Sequence, residues 1–119
     1  MPSSILAILI GVLSGVVAAV CGVGGGIIMV PAFVLLIGMP QKTAVASSLA
    51  AIILTALVAT LKNHLNELID WRVAIPSALS GALVAWFAAD ALKHLSNLTL
   101  TRIFAAVMIL VGVRMLFQK

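Results

Sequence analysis

The chain has 119 residues, 64% of them hydrophobic and 8% charged, where a soluble domain carries roughly 25% charged residues. This excludes an ordinary soluble fold and predicts an all-α membrane protein with about four to five transmembrane segments and a glycine-broken first hairpin, since a span needs about 20 apolar residues. The net charge of +4 reflects only three acidic residues against seven scattered bases, so no nucleic-acid partner is expected.

The first segment runs from about Ser4 to Val20 and carries no charge. No Lys or Arg precedes its apolar core, so a cleaved secretory signal is not expected and the chain is read from Met1 onward as one membrane domain, 1–119. Its single cysteine, Cys21, is read as a small buried hydrophobe.

Cys21-Gly22-Val23-Gly24-Gly25-Gly26 follows, and then an apolar limb from Ile27 to about Gly38 that contains Pro31. As one straight helix, residues 4–38 would measure about 52 Å, too long for a single crossing. The segment is therefore predicted to break at Gly22–Gly26 and double back, its second limb short enough to be re-entrant.

Pro40-Gln41-Lys42-Thr43 is a polar break in which Thr43 is expected to cap the next helix. The second uncharged segment runs from Thr43 to Leu61, with Ser47 and Ser48 about one turn in. Residues Lys62 to Arg72 read as an interfacial connection, with Trp71 in the aromatic belt. A third segment spans Val73 to Ala89, Pro76 falling in its first turn, where proline is tolerated. Ser77, Gly81, Ala85 and Ala89 form a small-residue stripe on it, and Gly11, Gly15 and Ala19 form another on the first segment; such stripes let helices approach closely. After a loop from Asp90 the fourth segment runs from about Leu98 to Phe117, with Arg102 and Arg114 near its ends.

If the first segment doubles back, Lys42, Lys93 and Arg102 share one side, and Lys62, Arg72, Arg114 and Lys119 the other. The positive-inside rule then decides no orientation.

The glycine stretch is the candidate site. Peptide groups in lipid have no water to bond, so irregular backbone at depth survives only where it is buried in protein or lines a wet cavity. Glycine lets the backbone approach a ligand closely, and free N–H groups at a helix start favour an anion. Gly22, Gly24, Gly25 and Gly26 are therefore predicted to contact a small anionic substrate; close helix packing at a kink is the alternative use of the same glycines. Ser47 and Ser48 can present hydroxyls to the same anion or bond back to their own helix. Lys42 could stand at the entrance or simply anchor the interface. His64 could carry a coupling proton or be an exposed interfacial histidine. No His, Cys or carboxylate set has metal-ligand spacing, and no metal or cofactor is expected. The apolar segments up to Leu61 lack Asp, Glu and His, so a membrane enzyme is not expected either.

Several stretches together resemble one repeat of the sulfite exporter TauE/SafE family, also called the 4-toluene sulfonate uptake permeases. They are Gly15 with Gly22 to Pro31, Gly38 to Leu49 with its Ala46-Ser47-Ser48-Leu49 run, Ile69-Asp70-Trp71-Arg72, Gly81, and Arg102 to Leu116. Where family members often have Thr-Ser-Leu, this chain has Ser47-Ser48-Leu49. The family is typically about twice this length and resembles two fused repeats, so the resemblance implies half a transporter that functions as a homodimer. It further implies a multi-pass protein of the cell inner (plasma) membrane that contacts lipid and moves sulfite, sulfonates or related anions. The alternatives are a non-transporting subunit completing another half-size partner, and a passive anion channel.

Overall fold

The computed structural model describes residues 3–118. Met1, from which the membrane domain was read, and Lys119, counted in the charge balance, lie outside the described residues. Five helices follow one another: α1 (Ser3–Cys21), α2 (Gly26–Ala32), α3 (Gln41–Leu65), α4 (Trp71–Leu92) and α5 (Asn97–Leu116). A π-helical turn, Phe33–Ile37, continues α2. The described residues contain no strand. Four of the helices, α1, α3, α4 and α5, are long and apolar enough to cross a membrane, which makes this an all-α, multi-pass membrane protein.

Each boundary has a local cause. Gly25, with φ of 75°, starts α2, and Gly38, with φ of 79°, ends the π-helical turn. Pro31 inside α2 has no N–H to offer Ile27, and the wider π turn just after it takes up that irregularity. The Asp70 carboxylate accepts the Arg72 N–H at 3.0 Å and opens α4; the Ser96 hydroxyl accepts the Thr99 N–H at 3.1 Å and opens α5. The end of α3 is closed by Leu68 N–H donating to Asn63 O at 3.0 Å and Glu67 N–H to His64 O at 3.0 Å. This Schellman arrangement puts Glu67 at φ of 57°, where glycine is usual.

Three expectations need correction. Thr43 does not cap α3, because the helix begins at Gln41 with Pro40 before it and no side-chain cap. Since α4 starts at Trp71, Pro76 falls beyond the first turn, and Ser80 Oγ donates to the Pro76 carbonyl at 2.8 Å. Cys21 is exposed at the end of α1.

Ile10, Met29, Val30, Phe33 and Ala44 form the core where α1, α2 and α3 meet. Gly25 faces Ser14 and the residues beyond it face Ile10, so α2 runs antiparallel to α1. The second limb thus travels on to the end where α1 begins, and the glycine break interrupts a crossing. Half-buried Phe104 brings α5 against this core. Residues of α4, by contrast, are nowhere buried: Trp86 is 76% and Phe87 67% exposed, as suits side chains solvated by acyl chains. The Ser77/Gly81 stripe has no helix against it within the described residues, and a Cβ on Gly81 would meet nothing within 4 Å.

Candidate functional site

Between Cys21 and Gly26 the chain leaves α1 and drops back along it. A Cβ on Gly25 would lie 3.0 Å from the Ser14 carbonyl oxygen and 3.3 Å from Ser14 Cβ. Ser14 is seven residues short of the end of α1, so Gly25 sits about 10 Å inside that end. On the other side, Cβ atoms on Gly24 and Gly26 would lie 3.2 and 3.1 Å from Ile52 side-chain carbons. Ile52 is about 16 Å along α3 from its start at Gln41. The loop therefore ends near half height, held between α1 and α3, and only a glycine at 25 admits the main-chain contact with Ser14.

This descent leaves peptide groups unpaired. Gly22 N–H donates to Ala18 O at 2.9 Å, and Ile28 and Met29 N–H both donate to Gly25 O. The N–H groups of Val23, Gly24 and Gly25 donate to no protein acceptor among the described residues, Gly24 and Gly25 form a turn that closes on Val23, and no side chain caps α2. Gly24 and Gly25 have φ of 68° and 75°. Consecutive N–H groups in such backbone form the concave donor arrays that hold anions in many proteins.

A cleft of about 180 Å³ lies beside the loop, lined by Ala18, Gly22 and Gly24 on one wall and Thr55, Ala59, Thr60 and Asn63 of α3 on the other. Thr55 Oγ1 donates to Ile52 O at 3.1 Å. The cleft runs from the level of Thr55 towards the end of α3, where Asn63 lies. Thr55, Thr60 and Asn63 were not singled out from the sequence. For Thr55 and Asn63 the signal was the spacing Ile52, Thr55, Ala59, Asn63, which repeats every three or four residues and so marks a single helical face.

The predicted site residues are only partly brought together. Gly22 and Gly24 line the cleft, Gly26 borders Ile52, and Gly25 is buried against Ser14. Ser48 is buried and donates to the Val45 carbonyl at 2.8 Å; neither it nor half-buried Ser47 lines the cleft. Lys42 stands at the other end of α3, its Nζ donating to Lys93 O at 3.2 Å and its N–H to Asn97 Oδ1 at 3.2 Å. There it ties α3 to the α4–α5 connection. Exposed His64 lies edge-on to Trp71, with ring centroids 5.5 Å apart.

The description "Sulfite exporter TauE/SafE" matches residues 7–119. A probable membrane transporter protein of Xylella fastidiosa (strain 9a5c) is 32% identical over 92% of this chain and 43% of its own length. The probable membrane transporter protein YunE of Bacillus subtilis (strain 168) is 31% identical over 95% of this chain and 40% of its own. The chain thus spans less than half the length of these relatives. No solved structure matches it significantly. With a match over nearly all its residues, the chain belongs to the sulfite exporter TauE/SafE family.

Proposed function

We propose that this chain forms one repeat of a secondary transporter for small sulfur-containing anions, two repeats making the working unit in the plasma membrane, most simply as a homodimer. The substrate rests on the glycine loop, with Gly22 and Gly24 facing it and Gly25 and Gly26 fixing the loop's depth. Alternating access then arises as the α1–α2 hairpin and α3 rearrange around the bound anion. The observation that supports the reading is the set of unpaired N–H groups from Val23 to Gly25 in a loop that descends towards half height, with Gly24 lining an open cleft. Donors left bare in an oily surrounding each cost several kcal/mol, and an oxyanion supplies the acceptors. The names of the relatives support transport, and no catalytic activity is assigned to the site.

Uptake of labelled sulfite, sulfate and a short sulfonate by the purified chain in liposomes tests this directly. Saturable, counter-transportable flux of at least one of them is expected. Ala59→Phe, which fills the cleft from the α3 wall without changing the loop's own residues, should abolish it while helicity and oligomeric size persist. Flux that never saturates would indicate a channel. Flux that appears only with another protein would indicate an accessory subunit.

A further inference from the structure

We infer that the cleft selects singly charged oxyanions over doubly charged ones of similar size, an inference that rests on the transport reading above. The polar groups lining it are neutral: the hydroxyls of Thr55 and Thr60, the Asn63 amide, and main chain at Gly22 and Gly24. Among the described residues no Lys, Arg or His lines it. Lys62 lines an adjoining groove, and Lys42 is bonded at the far end of α3.

Two of the lining donors are already committed, Thr55 Oγ1 to the Ile52 carbonyl and Gly22 N–H to the Ala18 carbonyl. An ion entering such a cleft gives up water, and that cost rises as the square of its charge, about fourfold for a dianion over a monoanion of equal radius. Attraction to a fixed set of dipoles rises only in proportion to charge, about twofold over the same step. A second negative charge therefore raises the dehydration cost faster than it raises the attraction of this lining, and the one cation close by, Lys62, lines the adjoining groove rather than the cleft. The cleft, of about 180 Å³, has room for a small oxyanion and a few waters.

The test measures influx of labelled methanesulfonate and sulfate into liposomes containing the purified chain, clamped at zero membrane potential, for wild type, Thr60→Ser and Thr60→Lys. Wild type and Thr60→Ser should carry methanesulfonate at least about tenfold faster than sulfate, a ratio worth about 1.4 kcal/mol. Thr60→Lys, which adds a cation to the cleft wall, should shrink that ratio at least about threefold; Asn63→Lys serves if Thr60→Lys does not fold. Equal wild-type fluxes of the two ions overturn the inference and leave the transport reading standing. An unchanged ratio in a folded lysine variant also overturns it. No flux of either ion overturns the inference, and labelled sulfite in the same liposomes then decides the transport reading: sulfite flux leaves it standing, and no sulfite flux removes it too.

Discussion

Gly25→Ala isolates the contact that sets the loop's depth. The new methyl would sit 3.0 Å from the Ser14 carbonyl oxygen, a main-chain atom of α1 that cannot swing aside, on a backbone with φ of 75°. Left-handed backbone costs a non-glycine residue about 1–2 kcal/mol, and forcing an extra carbon into a packed site adds about 1–3 kcal/mol. Stiffening the unfolded chain returns about 0.4–1 kcal/mol, so the net loss should be about 1–4.5 kcal/mol, with its middle near about 3 kcal/mol. Gly22→Ala is the matched control: φ is 69°, but its Cβ would meet nothing within 4 Å, so only the backbone term applies and the loss should be smaller, about 0–1.5 kcal/mol. Unfolding by sodium dodecyl sulfate in mixed micelles, followed by far-ultraviolet circular dichroism, measures both. Tryptophan fluorescence suits the purpose less well, since Trp71 and Trp86 both lie on α4, away from the loop. Ser14→Gly removes the Cβ at 3.3 Å but leaves the carbonyl at 3.0 Å, and so should not rescue Gly25→Ala. Equal losses for the two glycine variants, or full rescue by Ser14→Gly, would refute the packing account of the loop.

Glu67→Gly should stabilise the chain by about 0.5–1 kcal/mol in the same assay, because glycine takes the left-handed position closing α3 without the Cβ penalty. A loss of stability would mean that the Glu67 side chain contributes more than its backbone strain costs. His64→Phe keeps the edge contact with Trp71 and should leave the pH profile of anion flux unchanged in proteoliposomes. A flux that loses its pH dependence in this variant would give His64 the coupling proton.

The number, order and approximate limits of the apolar segments could be read from the residues because lipid forces each span to satisfy its own backbone. A glycine run inside uncharged sequence pointed to a break at depth, because one straight helix over residues 4–38 is too long for a single crossing. The helix ends shifted by a few residues because interfacial stretches such as Lys62 to Leu65 continue a helix as readily as they leave it. What surrounds the glycines was decided by tertiary structure alone. Ser14, Gly25 and Ile52 are far apart in sequence and meet only when the loop descends between α1 and α3. Composition gave no warning of this, since in lipid the same residue types face acyl chains and neighbouring helices, and no polar stripe separates outside from inside. For the same reason the sequence left the hydroxyls of Ser47 and Ser48 open to either a ligand or their own helix; in the fold the Ser48 hydroxyl bonds back to Val45, and Thr55, Thr60 and Asn63 lie along the cleft.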